Sequence, residues 1–112
     1  MPLTELTVNQ GDAGTQPWPV TVNVSSTATR TTVAASTTEG VLLPANPDRT
    51  MFTIYNDSGK VLFLILGSTG SVTDYTVQLS PKAYFELSGY VGEVRGVWNG
   101  SGGSARITEL TV

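Results

Sequence analysis

The sequence predicts an all-β domain, a small antiparallel β-sandwich or jelly-roll-like fold, preceded by an extended N-terminal arm. Three observations carry this expectation. Only 13% of the 112 residues are charged, and Thr and Ser fill the polar positions instead; Thr is β-branched and sits well on a pleated, half-exposed surface. Short apolar runs, alternating or continuous, recur between clusters of Gly, Pro, Asn, Asp and Ser. No segment sustains the 3.6-residue period of an amphipathic helix.

Residues 1–29 read as the arm. They are rich in Thr, Ser, Asn, Gln, Gly and Pro, with few large apolar side chains and Trp18 the one aromatic. Gly11-Asp12-Ala13-Gly14 is turn or flexible loop, and Pro17-Trp18-Pro19 is stiff and extended. Val20 to Val24 alternates as a strand would but has little to bury alone. Such an arm orders by pairing with a sheet edge, its own or a neighbour's.

Residues 30–112 read as the sandwich. Thr31 to Ala35 and Gly40 to Leu43 are short strands, the second ended by Pro44-Ala45-Asn46-Pro47-Asp48. Met51 to Tyr55 alternates, with Phe52 and Ile54 on one face. Asn56-Asp57-Ser58-Gly59 signals a turn in which Gly59 suits a left-handed position. Lys60 to Leu66 returns as a continuous apolar strand. Tyr75 to Leu79 follows, ended by Ser80-Pro81-Lys82, and then Ala83 to Leu87, broken by Ser88-Gly89. Val91 to Trp98, a Gly-rich hairpin loop at 99–103 and Ala105 to Leu110 close the domain. About seven or eight strands without helix match a two-sheet plan better than any α/β plan.

Composition also bounds the chemistry. The chain has no Cys and no His, so disulfides, thiolate nucleophiles, the usual zinc sites and imidazole bases are excluded. A net charge of −3 with six scattered basic residues provides no footprint for nucleic acid. The apolar run Val61 to Leu66 is too short to span a bilayer, and the first residues lack the basic and apolar regions of a secretory leader. No membrane, nucleic-acid or cofactor partner is therefore expected, and no catalytic or metal site. Asp48-Arg49, Asp57 and Asp74 fit turn chemistry better than acid–base work or calcium binding. Gly100-Ser101-Gly102-Gly103 lacks the Lys and the helix of a phosphate loop. Trp18, Trp98, Tyr84 and Tyr90 could line a sugar-binding surface, although core packing accounts for Trp98 and Tyr90, and anchoring of the arm for Trp18.

Two patterns bear on assembly. Leu62, Leu64 and Leu66 alternate with Val61, Phe63 and Ile65, so this strand is apolar on both faces. Either its own domain covers both, or a second subunit covers one. In addition, Thr4-Glu5-Leu6-Thr7-Val8 recurs as Thr108-Glu109-Leu110-Thr111-Val112. One reading is chance repetition in a Thr- and Val-rich chain; the alternative is two equivalent edge strands suited to strand addition between subunits.

From about Ala34 onward the order of elements resembles small virion proteins of tailed bacteriophages. The resemblance rests on Leu43-Pro44-Ala45-Asn46-Pro47-Asp48-Arg49, Thr53-Ile54-Tyr55-Asn56-Asp57-Ser58, Leu64-Ile65-Leu66-Gly67, Tyr75-Thr76-Val77-Gln78-Leu79 and Ala83-Tyr84-Phe85-Glu86-Leu87. It continues through Gly89-Tyr90-Val91-Gly92, Gly96-Val97-Trp98 and Ala105-Arg106-Ile107-Thr108-Glu109-Leu110. It covers about two thirds of the chain and implies a non-enzymatic place in a virus particle. The expectation is a capsid decoration protein on the capsid exterior, a homo-oligomer with a trimer favoured, partnered by the major capsid protein or another virion protein. Trp18, Val20, Val22 and Val24 are the expected arm contacts, and Leu62, Leu64 and Leu66 the expected subunit interface. The alternatives are a head-fibre, tail or baseplate component, or a carbohydrate- or receptor-binding module.

Overall fold

The computed structural model describes residues 24–112. Eight strands follow one another: β1 (Thr27–Ala34), β2 (Gly40–Leu43), β3 (Arg49–Asp57), β4 (Leu62–Leu66), β5 (Val77–Leu79), β6 (Tyr84–Ser88), β7 (Val94–Trp98) and β8 (Ser104–Thr111). They form two four-stranded sheets, ordered β1-β8-β3-β6 and β2-β7-β4-β5. All ladders between them are antiparallel. The domain is all-β, and no helix occurs among the described residues, as the alternation in the sequence predicts.

The period-two pattern decides what is buried. In β3, Phe52, Ile54 and Asn56 point inward and are fully buried, while Met51, Thr53 and Tyr55 lie on the outer, half-buried face. Across the ladders, Leu87 and Phe85 of β6 stand opposite Phe52 and Ile54, and Ile107 and Ala105 of β8 stand opposite Ile54 and Asn56. The second sheet closes the core with Leu62, Leu64, Leu79, Val94 and Trp98, joined by Leu42 and Leu43. Each such side chain contributes roughly 1.5–3 kcal/mol on full burial.

Two expectations change. Strand β1 begins at Thr27, and its first residues pair with Thr111, Leu110 and Glu109, so the domain starts three residues before the expected boundary at 30. No large apolar residue marks that start in the sequence. Gly59 does not take a left-handed conformation; positive φ occurs at Gly67, Gly89, Gly102, Gly103 and Lys82. Side chains hold the β3–β4 turn instead: Ser58 donates its hydroxyl to Asn56 Oδ1 at 2.7 Å, and Lys60 N–H donates to Ser58 Oγ at 3.1 Å. The β7–β8 loop rests on that turn through Gly103, where a Cβ would stand 2.6 Å from the Ser58 Cβ.

Candidate functional site

The two-faced strand β4 is explained by its own domain. Leu62 and Leu64 are fully buried between the sheets, and Leu66 packs against the same core. Leu62 and Leu64, expected at a subunit interface, instead face the opposite sheet of their own protomer with no surface left for a partner, while Leu66, expected there too, is half-buried. On the outer face the connection from β4 to β5 folds back. Ile65 is 4% exposed, and a Cβ on Gly70 would stand 2.6 Å from the Ile65 side chain. Tyr75 from the same connection meets Phe63 edge-on with ring centroids 4.9 Å apart. The apolar outer face thus already has an intramolecular cover.

Buried polar groups sit near the two ends of β3. Arg49 is buried and donates from Nε to Glu109 Oε2 at 2.8 Å. Its Nη1 donates to the carbonyls of Gly92 (2.8 Å) and Tyr90 (3.2 Å), and its Nη2 donates to that of Pro44 (2.6 Å). One guanidinium fork so ties the β2–β3 and β6–β7 connections to β8, the geometry at which Arg is better than Lys. Asn56 does the same near the other end. Its Nδ2 donates to Lys60 O at 2.8 Å with Leu79 O and Ser80 O each at 3.1 Å. Its Oδ1 accepts from Trp98 Nε1 at 3.2 Å. Both clusters are internally satisfied and leave no group aimed at a ligand. Arg49, expected in a turn, opens a strand.

The aromatic residues divide. Trp98 is 2% exposed and belongs to the core, which removes it from any sugar-binding surface. The Tyr90 hydroxyl is engaged by Glu93 O at 2.8 Å. Tyr84 is exposed on the outer face of the first sheet, directly opposite Tyr55. Nearby, Asp57 accepts from Lys82 Nζ at 2.7 Å and Arg106 Nε at 2.6 Å. These two cations hold the Asp57 carboxyl below its ordinary range, and Asp57 in turn raises Lys82. The hydrogen bond from Tyr84 to Glu86 raises the phenol. On the other sheet Arg95 clamps Glu39 with two bonds of 2.7 and 2.9 Å and lowers that carboxyl.

Among the described residues, β1 is the longest strand at a sheet edge, and its outer side is open. All its residues but Val33 are exposed, including Thr29 and Thr31, although these share the face of buried Ile107. Ala35 N–H donates to Gly103 O at 3.0 Å, which fixes the alternation of the ladder: Val33, Thr31 and Thr29 exchange bonds with β8. The N–H and C=O groups of Ala28, Arg30, Thr32 and Ala34 therefore point away from the sheet. The strand has eight residues, one charge, no Pro, and a register without a shift. Natural edge strands are usually shortened, bulged or charged to prevent pairing; β2, the neighbouring edge of the other sheet, has four residues and a register shift. The sequence expectation did not single out these four residues. The available signal was a Thr-rich run without large apolar residues on either face.

Of the expected arm contacts, Val24 is 68% exposed, and Trp18, Val20 and Val22 lie outside the described residues. The repeated pentapeptide is also placed in part. Thr108 to Thr111 lie in β8, between β1 and β3, so this copy is an interior strand, which removes the alternative of two equivalent edge strands.

Among the described residues no group of three acidic, His or Cys side chains gathers as a metal site would require, and no helix is long and apolar enough to cross a membrane. No protein-family model matches the chain, and no curated protein matches it. Among solved structures, it is similar to a chain of the Bacillus endospore appendages, described as a novel family of disulfide-linked pili, with 12% identity and a TM-score of 0.42 over 87% of this chain and 99% of that one.

Proposed function

We propose that the chain is a non-enzymatic structural subunit of a bacteriophage virion, a capsid decoration protein that assembles in many copies on the outer capsid. The observation that carries the reading is the eight-residue open edge of β1, which continues directly from the N-terminal segment. The buried polar groups support it by serving the fold, since Arg49 and Asn56 spend their hydrogen bonds within the domain. The resemblance of its sequence elements to those of small virion proteins is what suggests the particle. Repeated lattice sites would make weak single contacts sufficient, because each bound arm raises the effective concentration of the next contact.

The test uses the full chain and capsid shells that lack it. Sedimentation with the shells is expected at lattice stoichiometry, with binding reduced at least tenfold on deletion of residues 1–24. Binding at only a few copies per particle would move the protein to a fibre, tail or baseplate, and absence from particles would end the virion reading.

A further inference from the structure

We propose that the open edge of β1 accepts residues 4–8 of a second copy of this chain, so that protomers are linked by exchanged N-terminal strands. The inference rests on the structural-subunit reading above and names the partner of its edge. Two independent observations meet here.

The first is the edge itself. The outward-directed backbone groups of Ala28, Arg30, Thr32 and Ala34 have no backbone partner among the described residues. Arg30 also has no ion-pair partner among them. The edge offers main-chain hydrogen bonding along its length, with a cation at its middle, to a strand carrying an acid.

The second is the identity of residues 4–8 with residues 108–112. The structure shows what the second copy of that pentapeptide does: its Thr108 to Thr111 pair antiparallel with Arg30 to Thr27. The chain thus carries twice the strand that this half of β1 already accepts on one side. Residues 4–8 include Glu5, the acid that Arg30 lacks.

The approach to β1 favours a neighbour's edge over the chain's own. Ser26 N–H donates to Thr111 O at 2.9 Å, and the Ser25 hydroxyl bonds that of Thr50 in β3. The chain therefore reaches β1 from across the end of β8 and β3, the side away from the open edge. Residues 9–26 between donor and acceptor segments can span up to about 60 Å when extended, ample to reach an adjacent domain. Donor and acceptor surfaces differ, so the contact is heterologous and closes into a ring or extends as a chain.

The chain has no Cys, so engineered thiols report the contact directly. Chains carrying Glu5→Cys are mixed with chains carrying Arg30→Cys, without capsids, and oxidised, because the proposed pairing places these two side chains on one face of the sheet. A disulfide-linked heterodimer is expected, and sedimentation of the otherwise unmodified chain should show species larger than a monomer. Deletion of residues 1–9, which leaves the described domain untouched, and Thr32→Pro, which blocks the edge without removing a bond to β8, should each weaken assembly at least tenfold. Failure of the mixed cross-link, a monomer at every concentration, or unchanged assembly by either variant would overturn the inference. Capsid binding without this exchange would overturn the exchange alone. Exchange without capsid binding would overturn the virion reading alone.

Discussion

Strands β3 and β1 belong to the same sheet, are of similar length, and differ in nearly everything else. Strand β3 is paired on both sides, buries alternate side chains completely, and carries satisfied polar anchors near its two ends. Strand β1 is paired on one side and exposed on both faces. The difference separates two tasks. The stability of the domain is concentrated around β3, while the outward hydrogen-bonding groups of β1 have no backbone partner among the described residues. A sheet whose edge served only stability would be shorter, bulged or more charged.

The comparison can be broken by substitution. The largest effect is expected at Arg49: Arg49→Met strands Glu109 and three carbonyls, and should cost about 3–5 kcal/mol in urea unfolding. The corresponding change in β1, Arg30→Met, should stay within about 0.5 kcal/mol. Equal costs would remove the distinction between the strands.

Proline substitution sharpens the comparison within β1. Thr31→Pro deletes an N–H directed at β8 and should cost about 1–3 kcal/mol. Thr32→Pro deletes one directed outward and should cost less than about 1 kcal/mol. The reverse order would mean that the open edge presents the odd-numbered residues.

A smaller effect is expected at Lys82. It occupies the third position of the Ser80–Ala83 turn with φ of 66°, closed by a 3.0 Å bond from Ala83 N–H to Ser80 O, a place that favours Gly. Lys82→Gly relieves that strain and loses the exposed pair with Asp57, two opposing effects, so the thermal unfolding midpoint should shift only slightly. The pH dependence is the most modest signal. The folded Asp57 carboxyl lies below its ordinary range, so its contribution is present above the unfolded pKa and is lost as pH falls through the depressed folded value. Lys82 is raised by the same pair, and its contribution fades only as pH rises through that raised value. Lys82→Met should flatten the acid side of the stability profile; an unchanged profile would deny the pair any role.

Much of this fold is legible in the sequence because alternation has one cause. Phe52, Ile54, Leu62, Leu64 and Ile107 announce their strands and their inward faces by period-two spacing, and turn residues bound them. The cover over Ile65 is not legible, since it depends on where the Gly70 connection lands in three dimensions. For the same reason the two-faced β4 suggested a subunit interface where the domain supplies its own. Arg49 reads as a loop residue because nothing local distinguishes a solvated guanidinium from one that collects two carbonyls from the distant β6–β7 connection and one from Pro44 just upstream. The repeated pentapeptide is visible at once, but only the sheet order shows that its second copy is interior and that the open edge is its neighbour.

If the outward backbone groups of β1 are reserved for a strand from another copy, their amides respond to assembly. Amide hydrogen exchange by nuclear magnetic resonance, on the full chain below and above its assembly concentration and on the variant lacking residues 1–9, tests it residue by residue. Thr29, Thr31 and Val33 should be protected throughout. Ala28, Arg30, Thr32 and Ala34 should exchange rapidly in the dilute chain and in the truncated variant and gain protection when the full chain assembles. Assembly that leaves those four amides unprotected would contradict it.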